Sequence, residues 1–189
     1  ILSESKDDGS DFTQAEQPND PYNRRAERSY SAEHQRHRVT LTGVWELPYG
    51  RGAGAAGHPA LLGLFGGWTL SGTFTYRSGT AENPAVGSDV NADGNSSSDR
   101  PFIGGVMAAR NSYEGPDYAG LNLRLSKRFR FDRRRALLLQ LEGFNVLNRT
   151  NYGGLNMTWG TALEPRDTYG QYTSAGAPRQ LQLGVKVEF

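Results

Sequence analysis

Asp89, Asn91 and Asp93 stand at alternate positions in the run DVNADGNSSSD, Asp89–Asp99, and Gly94 follows them. Oxygen ligands at that spacing suit a hard cation such as calcium, and the glycine permits the sharp turn that lets them converge. Asn95 adds another amide oxygen. The closing position, normally a bidentate Glu, is Arg100, and Asp99 stands one residue early, where it could substitute in a modified loop. The plainer reading of the same residues is an Asx-rich surface loop with good turn formers. Calcium, held by Asp89, Asn91, Asp93, Asn95 and Asp99, is the one cofactor this sequence offers.

Other chemistry is weaker. Gly52–Gly57, GAGAAG, matches the dinucleotide fingerprint, but Pro59 follows closely and no amphipathic helix opens. No acidic residue stands about 20 positions further on, so a flexible turn fits better. His34 and His37, beside Glu33, lie at a loop-to-strand junction, where their spacing has no geometric force and solvated side chains are expected. Three sequons, at Asn95, Asn148 and Asn156, matter only in a eukaryotic secretory setting. The serines sit in loops without a nucleophile elbow. With no cysteine, disulfides, thiolate zinc sites and thiol catalysis are excluded. The expectation is a protein that is not an enzyme.

The elements that must position these residues are strands. In the terminal stretch RQLQLGVKVEF, residues Leu181, Leu183, Val185, Val187 and Phe189 fall on one face, and Gln180, Gln182, Gly184, Lys186 and Glu188 on the other. Side chains alternate along a strand, so one face is apolar and the other hydrophilic. The length suits a tilted membrane-crossing strand of roughly 9–11 residues. The same period recurs over residues 38–48, 67–78, 118–131 and 136–149. Lys127 breaks the apolar face of the third stretch, near a strand end where its amine could snorkel to the interface. The phase loosens over Phe144–Asn148, which predicts a bulge or a strand end.

Long loops are expected over about 6–36, 79–116 and 150–178, alternating strictly with short connections. A membrane meander produces that segregation when one side carries outer loops and the other periplasmic turns. Trp45, Trp68, Tyr76, Tyr118, Phe129, Phe131 and Tyr152 gather near strand ends, as interfacial girdles do. A mean hydropathy of −0.64 is compatible with a barrel, because only alternate strand residues meet lipid. No apolar run is long enough for a transmembrane helix. The formal charge of +1 argues against a nucleic-acid partner.

The expected fold is therefore all-β, an antiparallel transmembrane barrel with long extracellular loops. Residues 1–5 read as the tail of a further strand. Five strands and a stub cannot close a barrel, since the smallest single-chain bacterial examples have about 8, and open edges do not survive in lipid. Neither a signal peptide nor an initiator Met is present, so the expectation is a fragment with its export signal upstream.

Several stretches, in order, resemble a known family. They are SESKDDGSDF (3–12), DPYNRRAERSYSAEHQRHRVTLTGVWELPYGRG (20–52), GGWTLSGTFTYRSGT (66–80), NADGNSSSDRP (91–101), LNLRLSKRF (121–129), LEGFNVLNRTNYG (141–153) and the terminal strand. Together they resemble the C-terminal end of a TonB-dependent outer-membrane receptor, in the Oar-like subgroup that carries a carboxypeptidase-regulatory-like domain. The resemblance implies the last five to six strands of a barrel of about 22, in the bacterial outer membrane. It also implies a plug and a TonB box elsewhere in the protein, and ligand uptake driven through TonB. The terminal Phe189 resembles the signal read by the barrel assembly machinery. Residues Arg77, Asn122, Arg124, Arg128, Arg130, Gln140, Glu142, Gln182, Lys186 and Glu188 would face the lumen, touching plug or transport path, although a hydrated wall is the plainer role for any single one. The ligand stays open between oligosaccharide, peptide and metal chelate.

Two rivals share the alternation. A passive porin-like barrel would lack a plug. A soluble calcium-binding β-sandwich, or glycan-binding module, would bury Leu181, Leu183 and Val185 in a core.

Overall fold

A computed structural model describes residues 6–7, 22, 23, 25, 27–48 and 63–189. The strand tail expected at 1–5 and the Gly52–Gly57 run lie outside the described residues. The chain divides into two compact units. One holds residues 39–75, 119–150 and 177–189, and the other holds 1–38, 76–118 and 151–176.

The first unit is a strand wall. Its strands are β1 (Arg38–Glu46), β2 (Trp68–Arg77), β3 (Tyr118–Arg130), β4 (Ala136–Phe144) and β5 (Gln180–Glu188). They hydrogen-bond in the order β5-β4-β3-β2-β1, each beside its neighbour in sequence. That is an antiparallel meander, left open at β1 and β5. Open edges carry unpaired backbone groups, which lipid does not tolerate, so closure requires further strands on both sides.

The register fixes which side chains share a face. Leu137, Leu139 and Leu141 pair with Val187, Val185 and Leu183 on one side and with Phe129, Lys127 and Leu125 on the other. The opposite face carries the rows Arg124–Glu142–Gln182, Ser126–Gln140–Gly184 and Arg128–Leu138–Lys186. Among the described residues nothing packs on the apolar face of the terminal strand: Leu181 and Leu183 are each 72% exposed and Val185 60%. A soluble domain needs a second layer over such a face. The core that the sandwich reading requires at Leu181, Leu183 and Val185 is therefore not formed, and a lipid-facing wall accounts for the exposure.

The sheet ends have local causes. The alternating stretch 136–149 gives a strand only to Phe144, because Asn145 turns into the left-handed region (φ 48°) and Asn148 follows it (φ 51°). Asn, with a short polar side chain, tolerates that conformation better than most residues. Asn145 is held there by its own side chain, which donates to the carbonyls of Arg149 and Ala177 at 2.9 and 3.1 Å. Between β3 and β4 the chain reverses tightly: Asp132 Oδ1 accepts the backbone N–H groups of Arg134 and Arg135 at 2.8 and 2.7 Å.

Lys127 keeps the expected face but not the expected reach. It is 4% exposed rather than snorkelling to water. Its ammonium donates to the carbonyls of Gly63, Leu64 and Gly66 at 2.5, 2.8 and 2.5 Å. The rings of Trp68 and Phe129 flank it, with centroids 5.6 and 4.7 Å away. Three carbonyl dipoles and two ring faces replace the hydration that burial removes. The connection before β2 folds back to supply those carbonyls.

The second unit is made of the three long connections. Read as aperiodic from sequence, they carry short antiparallel pairs: Lys6–Asp7 with Ser29–Tyr30, Ala81–Glu82 with Tyr113–Glu114, Phe102–Ile103 with Val106–Met107, and Tyr152–Leu155 with Tyr172–Ala175.

Candidate functional site

In the wall, the polar face is organised by cross-strand ion pairs. Arg124 on β3 meets Glu142 on β4 at 2.5 Å. Arg128 on β3 pairs with Glu188 on β5, two strands away, and Lys186 stands 3.5 Å from the same Glu188. Asn122 accepts the Asn145 backbone N–H through Oδ1 at 3.0 Å, and the Thr42 and Thr73 hydroxyls meet at 3.4 Å across β1 and β2. Exposed pairs of this kind contribute at most about 1 kcal/mol each. What they supply is a hydrated, charge-balanced surface suited to a polar passage. The register places Arg124, Arg128, Gln140, Glu142, Gln182 and Lys186 on this one face. Arg77, the last residue of β2, lays its guanidinium over the Tyr118 ring at 5.0 Å. Phe189 is 98% exposed, beyond the last paired residue.

The loop unit is built around buried polar groups. Glu27 and Arg100, 73 residues apart, form an ion pair at 2.5 Å with both side chains 2% exposed. Burial lowers the Arg100 guanidinium pKa and Glu27 opposes that shift. Around the pair, Ser29 Oγ donates to the Arg110 carbonyl at 2.5 Å, and Asn111 Nδ2 donates to the Tyr30 carbonyl at 2.7 Å. These bonds fasten the first long loop to the second. The third joins through backbone bonds: Ala85 N–H donates to the Met157 carbonyl and Trp159 N–H to the Ala85 carbonyl. Tyr30 and Asn111 also line a cavity of about 130 Å³, with His34, Arg36, Tyr113 and Glu114 among others. His34 stacks on Tyr30 with ring centroids 4.2 Å apart, while His37 bonds Ser78 through its backbone at 3.1 and 2.9 Å. Sequence reasoning missed Glu27, Arg110 and Asn111. None carries a local signature, because each finds its partner across a long separation.

The 89–99 loop is a ladder of Asx turns. Asp89 accepts the N–H groups of Asp93 and Gly94, Asn91 accepts that of Asp93, Asp93 that of Asn95, and Asn95 that of Ser97. Asp99 closes it by accepting Val90 N–H at 2.6 Å. Backbone donors thus occupy oxygens that a cation would need. Among the described residues no three acidic or histidine side chains converge to hold a metal. One oxygen is left over: Asp99 Oδ1 is buried and accepts no hydrogen bond.

The sequence profile of the outer membrane beta barrel domain matches residues 2–107 and 103–182. The chain belongs to that family. Comparison with curated proteins and with solved structures finds no match. Family membership accounts for a single-layer wall whose apolar side is bare, and it places the protein in the bacterial outer membrane. Outer-membrane barrels as a class carry their polar strand face toward the lumen and their longer loops on the extracellular side.

Proposed function

We propose that this barrel serves active ligand uptake, as the C-terminal wall of a TonB-dependent receptor. A plug and a TonB-coupling segment would lie outside the described residues. The observation that carries the reading is the loop unit. Three connections distant in sequence are fastened to one another, the first two by the buried Glu27–Arg100 pair and the third by backbone bonds, and the first two line a small polar and aromatic cavity. Long loops structured in that way suit ligand capture better than loops without internal order. The family resemblance of the quoted motifs points the same way. The wall would be inserted by the barrel assembly machinery through its terminal strand.

The test is conductance of the full-length protein in a planar bilayer. The reading predicts no steady conductance at rest, and conductance only once mild urea loosens the plug. A steady open conductance without urea would contradict the reading and assign a passive porin-like barrel instead.

The orphaned Asp99 Oδ1 favours a second reading, in which calcium enters the 89–99 loop and displaces part of the Asx ladder. Calcium should then protect the loop from proteolysis in the full-length protein, and Asp99→Asn should abolish the protection. Equal cleavage with calcium or chelator would remove the reading.

A further inference from the structure

The short turn between β3 and β4 concentrates charge in a way the transport reading does not use. Arg128, Arg130, Arg133, Arg134 and Arg135, with Asp132 and Ala136, line one open basin of about 520 Å³. The whole chain carries a formal charge of only +1, so this basin is a strong local departure.

Most of that charge is not neutralised. Arg128 is committed to Glu188, and Arg135 stands 3.7 Å from Asp132. Asp132 is itself engaged by the backbone of the turn, which fixes the tip. Arg130, Arg133 and Arg134 meet no acidic side chain among the described residues. The register explains the case of Arg130. Its neighbour across the ladder is Ala136, too small to fill the space, and the Glu188 beyond pairs with Arg128 instead. Arg128 and Arg130 lie two residues apart on one face, so their stems are about 7 Å apart.

Guanidinium groups stay charged and present planar forks that match oxyanions bidentately. A carboxylate has two oxygens and is satisfied by one or two forks. A phosphate can accept from several at once, which is what a basin ringed by unpaired arginines offers. We infer that this turn is a binding site for phosphate-type oxyanions at the short-turn, periplasmic mouth of the barrel. Two sources carry that chemistry there: the headgroup of an anionic phospholipid, and soluble phosphate.

The experiment uses the full-length protein in zwitterionic micelles at low salt. It is titrated calorimetrically with short-chain phosphatidylglycerol, with the matching phosphatidylcholine, and with inorganic phosphate. Phosphatidylglycerol binding at least tenfold tighter than phosphatidylcholine supports the site with lipid as its source. Binding of inorganic phosphate supports it with a soluble source. In either case Arg130→Gln/Arg133→Gln/Arg134→Gln should weaken binding at least tenfold. Should that variant fail to assemble, Arg133→Gln/Arg134→Gln, confined to the exposed tip, should still weaken it several-fold. Absence of binding by both phosphatidylglycerol and phosphate, or unchanged binding by the glutamine variants, overturns the inference.

Discussion

In the strand wall the apolar side chains point outward, and the buried positions of β3 and β4 are Gly120, Lys127, Ala136 and Gly143; in the loop unit the buried positions include Glu27, Asn95, Ser98, Asp99, Arg100, Arg110, Asn111 and Asn151. Both regions invert the usual arrangement, for different reasons. The wall has no apolar core because its apolar solvent is lipid, and its order comes from the backbone ladder. The loop unit has a few buried apolar groups, such as Val86, Met157 and Trp159, and relies on buried polar networks for the rest. Such networks specify one arrangement but tolerate the loss of a partner poorly. The wall should therefore respond to what is added on its outer face, and the loop unit to what is removed from its interior.

The largest effect is expected from Glu27→Ala, which strands a buried guanidinium and should destabilise the loop unit by about 3–5 kcal/mol. Limited proteolysis of the full-length protein in micelles should then cut the long loops while the barrel keeps its heat-dependent gel mobility. Loss of both together would break the distinction between the regions. Next comes Leu183→Arg, a charge on the lipid face, expected to cost about 2–4 kcal/mol in urea unfolding from vesicles. Gln182→Arg, one residue away on the lumen face, should stay within about 0.5 kcal/mol. Comparable costs for the two would deny the wall its sidedness.

Lys127→Met sharpens the comparison from within the wall, because it removes a buried cation there. It leaves the carbonyls of Gly63, Leu64 and Gly66 without that donor, and about 1–3 kcal/mol should be lost. The Leu64 carbonyl retains the Trp68 indole N–H at 3.1 Å, which limits the loss. The smallest effect concerns pH. Burial holds the Glu82 carboxyl above its ordinary 4.5, with the Thr80 hydroxyl opposing. A raised carboxyl favours the protonated form in the folded loop, so its stabilising contribution is present below 4.5 and lost as pH rises through the raised value. Glu82→Gln should flatten that pH dependence in loop proteolysis, and an unchanged profile would assign it elsewhere.

The strand wall was legible because its information is local. A period of two over nine or ten residues, as in β1, β2 and β5, declares both the element and its faces. The polar-face residues followed from phase alone. The loop unit was not legible for the converse reason. Its strands are two to four residues long, and its fastening pair spans 73 positions, so no window contains both partners. Lys127 falls between the two cases. Its place on the apolar face was visible, and a buried-side lysine calls for partners, but the carbonyls come from a connection with no signature of its own. The Asp89–Asp99 spacing marks a turn-forming run, yet spacing cannot say whether backbone N–H groups or a cation occupy its oxygens.

The sidedness of β5 is the most direct test of the whole account. This chain has no cysteine, so single cysteines can be placed along Gln180–Val187 of the full-length protein in vesicles, in a background free of others. Each is probed with a water-soluble maleimide and, after attachment of a fluorophore, by brominated-lipid quenching. The account predicts strict alternation: Leu181→Cys, Leu183→Cys, Val185→Cys and Val187→Cys quenched by lipid and slow to label, with Gln180→Cys, Gln182→Cys and Lys186→Cys fast to label and unquenched. Uniform labelling along the strand, or quenching on the Gln182 and Lys186 face, would contradict it.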